Sequence, residues 1–378
     1  MIGRGARYFV FLGRSGCDRP DAQKLVSSLH NAGASVTVLK GDVSALDDVD
    51  AAIKACKSIG KPIGGVIQAA MGLRESIFSN MTSEAWHIGV DCKWAGTWNL
   101  HHALEAYDEG PDFFLMTSSN SGSVGVATEA NYCASNGFMD AFSRWRRSQG
   151  KPAVSIGLGM ISEVGYLHEN PDIGAILSRR GVQAMPEEEF LQLIDISLSE
   201  NKDITDLQNA DEHAAAHILT GLESVGFRQL LAQGFDVNNL PMQDPRSRLL
   251  AESLAAEQRA MITAGGASTK VGQFSAVARN AGSVSAYTAL MAESEGLSMR
   301  EGILWLIRET FSNLILISPD QVDNGKPLAQ FGLDSMLAAE FRTWLWATFK
   351  VDVPFLDILS SHKSLDSLAG DVEAKMTE

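Results

Sequence analysis

Over the first ~160 residues, apolar runs of strand length alternate with helical patterns, and few folds accommodate this. Tyr8-Phe9-Val10-Phe11-Leu12 is a near-continuous apolar run, as expected of a parallel strand buried on both faces. A helix with Leu25 and Leu29 on one face follows and ends at Asn31-Ala32-Gly33. Ser35 to Leu39, Gly64 to Ala69, Phe113 to Thr117 and Ala153 to Leu158 repeat the strand signal. Helical patterns lie between them, the longest at Trp86 to Tyr107 and Ala134 to Ser148. The alternation predicts an α/β, doubly wound parallel, Rossmann-like sheet, in which ligands bind beyond the carboxyl ends of the strands. Residues 168 to 235 read as mostly helical, with a polar insertion around Glu200 to Glu212.

The chain has 378 residues, enough for two or more domains. From Gln243 to Glu295 periodicity weakens and Ala, Ser and Gly dominate, which predicts a linker. A second unit starts at Ser298-Met299-Arg300-Glu301, a capping-box pattern. Ile303, Leu304, Ile307 and Phe311 then mark an apolar helix face. Another helix carries Leu337, Phe341, Leu345 and Phe349, and a last one Leu365, Leu368, Ala369 and Val372. The expected organisation is a sheet domain over 1–235, a linker over 236–297 and a small all-α four-helix bundle over 298–378.

A formal charge of −15 argues against nucleic acid or an anionic membrane as partner, because phosphates need clustered Lys and Arg. Cys17, Cys56, Cys92 and Cys133 show neither metal-ligand spacing nor a disulfide framework, so no metal is expected and a reducing, cytoplasmic location is. No signal peptide or spanning run is visible; Arg308, Glu309 and Asn313 interrupt the apolar stretch from Gly302 to Ile317.

In the second unit, Gly332-Leu333-Asp334-Ser335-Met336 places a hydroxyl at a Gly-punctuated turn leading into a helix. Capping is the commonest task of a serine there. The longer stretch Lys326-Pro327-Leu328-Ala329-Gln330-Phe331-Gly332-Leu333-Asp334-Ser335-Met336, with Val353-Pro354-Phe355 and the final Ser-Leu-x-x-Leu-Ala helix, resembles the acyl-carrier domains of polyketide synthases. The resemblance implies a covalent 4′-phosphopantetheine arm on Ser335, added by a phosphopantetheinyl transferase.

In the first domain, Tyr132 and Asn136 stand four apart on one predicted helix face, Ser119 follows a strand, and Lys93 lies on the helix before it. A phenol can serve as general acid to a carbonyl oxygen, a nearby ammonium would lower its pKa, and a serine hydroxyl can orient the same oxygen. The segments Asp91 to Leu100, Phe114 to Ser119 and Ala130 to Asp140 resemble the ketoreductase domain of polyketide synthases, short-chain dehydrogenase/reductase relatives with the Lys and Asn places exchanged. The resemblance runs to residue 235, and Gly165 to Asn170 and Asp244-Pro245-Arg246 look like segments of fungal highly reducing synthases. It implies that Tyr132 donates the proton, Ser119 aligns the carbonyl, and Lys93 and Asn136 complete the catalytic set. It also implies NADPH, with Arg14 at the 2′-phosphate, Ser15 as a further cofactor-binding residue, Asp42 and Val43 at the adenine, and Ala69 and Ala70 on the ribose side.

One part of the pattern is missing. A dinucleotide site uses a first strand and a Gly-x-Gly-x-x-Gly turn. Met1 to Arg7 instead resembles the end of the helix that follows that turn. The expectation is a sheet lacking its first βα unit and central strand, weak or no NADPH binding by this chain alone, and an origin as an N-terminally truncated piece of a longer synthase or gene. Two functions remain open: a reductase-and-carrier region acting on a β-ketoacyl thioester among other synthase domains, or a carrier module with an inactive reductase scaffold. A free reductase acting in trans would need its own complete nucleotide fold. Leu73-Arg74-Glu75 lies where stereochemical fingerprints occur in bacterial relatives and matches none of them.

Overall fold

Each apolar run of the first domain becomes a strand: β1 (Tyr8–Gly13), β2 (Ser35–Lys40), β3 (Gly65–Gln68), β4 (Phe113–Ser119) and β5 (Val154–Leu158). A sixth, β6 (His217–Leu219), has three residues and so no alternation for a sequence pattern to register. The computed structural model describes residues 1–107, 110–163, 174, 177, 182–199, 215–222, 224–232, 248–264, 298–315, 317–333 and 335–377. The chain divides into two compact units, the first comprising 1–125, 129–169 and 184–221, the second 126–128, 170–183 and 222–378.

In the first unit β1 and β2 pair in parallel, from Tyr8 opposite Ser35 to Gly13 opposite Lys40. The strands β3-β4-β5-β6, in that order, form a second parallel sheet, with Gln68 opposite Met116 and Ser119 opposite Leu158. Among the described residues β1 pairs only with β2 and β3 only with β4, so each keeps an edge with unpaired backbone groups. Tyr8, Phe11 and Ile67 stay exposed on these strands. Apolar packing joins the two pieces: Leu12, Val43, Val49 and Ile53 meet Leu104, Phe114, Met116, Met139 and Phe142 in one cluster. Phe114, Leu115 and Met116 of β4 are all fully buried, which requires cover on both faces of the strand.

The helices are α1 (Pro20–Asn31), α2 (Leu46–Ser58), α3 (Ser83–Val90), α4 (Trp94–Ala106), α5 (Ser121–Val124), α6 (Ala130–Ser148) and α7 (Glu187–Ser199). The single helix expected from Trp86 to Tyr107 is two. Thr82 caps α3 through its hydroxyl, and the chain turns at Asp91 to Lys93 before α4 begins. Lys93 is therefore the residue that precedes α4, not part of a continuous helix. Among the described residues no helix is long and apolar enough to cross a membrane, and all four cysteines are free thiols.

In the second unit α8 (Ser224–Ala232) and α9 (Arg248–Ala264) are joined by Arg228 to Glu257 at 2.9 Å. The segment expected as a linker thus contains a helix. Its alanines, read as linker-like, are the strongest helix formers, and Leu254 gives it a buried anchor. The bundle comprises α10 (Met299–Ile315), α11 (Ser335–Phe349), α12 (Phe355–Ile358) and α13 (Leu365–Thr377). The capping box at its start forms: Ser298 N–H donates to Glu301 Oε2 at 2.8 Å and Glu301 N–H to Ser298 Oγ at 3.3 Å. Its core is Ile303, Ile307, Phe311, Leu328, Phe341, Leu345, Ile358 and Leu368. The segments Gly165 to Asn170 and Asp244 to Arg246 lie outside the described residues.

Phe341 is 1% exposed and its ring lies 5.4 Å from Phe311. Phe341→Ala leaves a cavity that costs ~3–5 kcal/mol. Urea unfolding of the chain should show that loss in the transition of the bundle; a loss below ~1 kcal/mol would mean the bundle core is not packed as described.

Candidate active site

The carboxyl end of β4 and the first turns of α6 are fastened together, because Ser118 Oγ donates to the Asn136 carbonyl at 3.2 Å. This brings Ser119, Tyr132 and Asn136 into one place. The Tyr132 hydroxyl shares side-chain hydrogen bonds with Ser119 and Asn136. Asn136 Nδ2 also donates to the Tyr132 carbonyl at 2.8 Å, while its buried Oδ1 has no partner among the described residues. Ser119 Oγ accepts from the Ser121 N–H at 3.2 Å, which sets its rotamer at the strand end.

Lys93 joins the same group. Its ammonium is 2% exposed, donates to the Thr117 carbonyl at 2.7 Å and stands 6.0 Å from the centre of the Tyr132 ring. Burial pulls its pKa from 10.5 down to about 8, against the opposing pull of Cys92 and Asp140. Burial also pushes the Tyr132 phenol up, and the nearby Glu129 carboxylate adds to this, while the hydrogen bonds with Ser119 and Asn136 act the other way. The expected lowering of the phenol by Lys93 is not what the geometry produces. The ammonium faces the ring and spends its proton on Thr117, so desolvation decides. The phenol is held protonated through neutral pH, the state that a proton donor requires.

A second set of residues lies at the ends of β1, β2 and β3. Arg14 and Ser15 are exposed just beyond β1. The Arg14 charge reaches both Asp42 and Cys92, the neighbour of Lys93. Burial pushes the Asp42 carboxyl up, yet hydrogen bonds from Ser44 N–H at 2.9 Å and Ser44 Oγ at 2.7 Å, with Arg14, hold it below the usual range. Val43 packs into the apolar cluster, and Ala69 and Ala70 form the turn after β3, Ala69 on the surface.

Two residues without a role in the sequence pattern hold these turns. Asn99 Nδ2 donates to the carbonyls of Val43 at 3.1 Å and Ser44 at 2.8 Å. Gln68, 2% exposed, donates to the Cys92 carbonyl at 3.0 Å and accepts from the Ala70 N–H at 3.0 Å. The contacts of Asn99 with Val43 and Ser44, and of Gln68 with Cys92, join segments that only the fold brings near, so no spacing in the sequence announces them.

Ser335, the attachment residue expected from the sequence, opens the fifteen-residue helix α11, preceded by Gly332 with φ of 78°. That left-handed conformation is nearly free for glycine and costly for a side chain, which explains the residue at this turn. Metal binding has one candidate among the described residues, His101, His102 and Glu105. Its donors are engaged: Arg146 donates to His101 Nδ1 at 2.5 Å and Lys151 pairs with Glu105.

Comparison with known proteins gives these sites a setting. Residues 1–163 match the KR domain family and residues 305–372 the phosphopantetheine attachment site family. The chain is 57% identical over its whole length to the highly reducing polyketide synthase virA of Hypocrea virens, and 54% identical to fogA of Aspergillus ruber. It spans 16% of the length of each of these relatives. Among solved structures, an A1-type ketoreductase aligns with a TM-score of 0.55 and 25% identity, covering 67% of this chain and 49% of the other. The chain thus carries a KR-domain match followed by a phosphopantetheine-attachment match, and along its whole length it is similar to one region of fungal highly reducing polyketide synthases.

Proposed function

We propose that this chain carries acyl intermediates on a 4′-phosphopantetheine arm at Ser335, and that its first domain serves the reduction of a carried β-ketoacyl thioester to the β-hydroxyacyl form. The observation that carries the reading is Ser335 at the start of α11, inside the matched phosphopantetheine-attachment region. The free N–H groups and positive dipole end of α11 favour the phosphodiester formed there. The partners on this reading are a phosphopantetheinyl transferase, which supplies the arm from coenzyme A, and the other domains of a synthase.

For the reduction, a ketone needs a hydride at carbon and a proton at oxygen. Bound NADPH would supply the hydride. Tyr132 would pass its hydroxyl proton to the substrate oxygen while Ser119 donates a hydrogen bond to that oxygen and fixes its direction. Lys93, over the ring, stabilises the phenolate left behind. Asn136 anchors Tyr132 through its carbonyl, and its buried Oδ1 has no partner among the described residues. Arg14, Ser15, Asp42, Val43, Ala69 and Ala70 fit the adenosine end of NADPH: an exposed guanidinium, a polar turn and a bare backbone turn. The diphosphate end finds no Gly-x-Gly-x-x-Gly anywhere in the sequence, so the fit is partial.

The split sheet favours a second reading, a carrier with an inactive reductase scaffold. Two assays separate the readings. Incubated with coenzyme A and a transferase, the wild-type chain should gain one phosphopantetheinyl group by intact mass and Ser335→Ala none; no gain in the wild type removes the carrier reading. With a simple β-ketoacyl thioester, we expect NADPH consumption by the isolated chain no faster than by Tyr132→Phe. Turnover that disappears in Tyr132→Phe would make this chain a reductase by itself.

The burial of Lys93 has a consequence independent of turnover. Its folded pKa of about 8 lies below the unfolded 10.5, so below pH 8 the cost of burying the charge is fully present, and it fades as pH rises from 8 to 10.5. Lys93→Met should therefore stabilise the first domain by up to ~3 kcal/mol at neutral pH, the advantage shrinking toward pH 10.5. Urea midpoints across that range measure it; a constant difference would show that Lys93 is charged throughout.

A further inference from the structure

The Leu73-Arg74-Glu75 motif of loop 70–77 has no part in the reaction described above, yet its backbone is tied to the helix that carries Tyr132. The tie is Asn131, a fully buried side chain in the first turn of α6. Its Nδ2 donates to the Arg74 carbonyl at 3.1 Å and to the Ala85 carbonyl in α3 at 2.8 Å. Its Oδ1 accepts from the N–H of Tyr132 at 2.8 Å. That N–H is one of the donors that a helix start leaves without an intrahelical partner, and the preceding residue, Glu129, makes no side-chain cap. Both amide protons and the oxygen of Asn131 are thus used, on three separate segments. The space is specific as well: a Cβ at residue 89 would sit 2.4 Å from Asn131 Nδ2, so Gly89 is what lets the amide reach α3.

We propose that Asn131 is a positioning residue that latches loop 70–77 and α3 to the start of α6, so that the turn at Ala69-Ala70 and the hydroxyl of Tyr132 keep a set separation. The functional consequence rests on the reading of Tyr132 as proton donor; the latch itself does not. Loop 70–77 continues directly from the Ala69-Ala70 turn, whose Ala70 N–H is held by Gln68. At its far side Asn131 ties the loop to the Tyr132 helix. Without it the loop keeps its first anchor and loses its second.

The test uses the full chain and needs no turnover. Arg74 is exposed, and trypsin cleaves at the carbonyl that Asn131 holds. In Asn131→Ala, cleavage after Arg74 should rise about 10-fold, since local opening governs proteolysis, while cleavage after Lys24 and Lys54 on α1 and α2 stays as in wild type. Amide exchange at Tyr132, followed by NMR, should accelerate in the same variant. Asn131→Asp retains the acceptor and loses both donors, so it should speed cleavage after Arg74 and leave the Tyr132 amide protected. It also serves where the alanine variant does not fold. Unchanged cleavage after Arg74, an equal rise at Lys24 and Lys54, or loss of Tyr132 protection in Asn131→Asp would each overturn the latch. A failure of NADPH consumption would bear only on the reductase reading.

Discussion

A buried ammonium marks the place where β4, α4 and α6 of the first domain meet. Lys93 is withdrawn from water into a place where its charge costs free energy, a cost offset in part by the hydrogen bond it donates to the Thr117 carbonyl and by the ring of Tyr132. That single contact joins the turn before α4 to the end of β4. The position of Tyr132 against Ser119 is read from the same place, because Ser118 holds the neighbouring turn of α6.

Around that charge the site is assembled from turns held by side-chain amides. Gln68 fixes the turn after β3 and touches the backbone of Cys92; Asn99 holds the turn at Val43 and Ser44; Asn131 joins a loop, α3 and α6. An amide offers both donors and an acceptor without a charge, so it can satisfy buried backbone groups that no helix or strand ladder reaches. Arg14, Ser15 and Ala69 at this end of the sheet are exposed.

The carrier unit rests on simpler physics. A capping box starts its first long helix, aromatic and aliphatic side chains fill the centre, and a left-handed glycine turns the chain into α11. Each of these devices is local in sequence. The position of Ser335 at the helix start follows from a few neighbouring residues and needs no partner from a distant part of the chain.

That locality explains what could be read in advance. The apolar runs at Tyr8, Ser35, Phe113 and Ala153 determined their strands, and the spacing of Tyr132 and Asn136 determined their common helix face, because periodicity of two or 3.6 residues is a property of the chain itself. The same holds for the carrier turn. The tertiary structure alone decided the rest. Alanine-rich residues 248–264 became a helix where a linker was expected, as propensity and the burial of Leu254 outweighed weak periodicity. The short strand β6 exists only because β5 offers it an edge. The phenol of Tyr132 is raised and not lowered, because desolvation and the direction of the Lys93 ammonium depend on where β4 and α6 meet. The sequence names which groups can do chemistry; their protonation and their supports belong to contacts between segments far apart in the chain, and those exist only once it has folded.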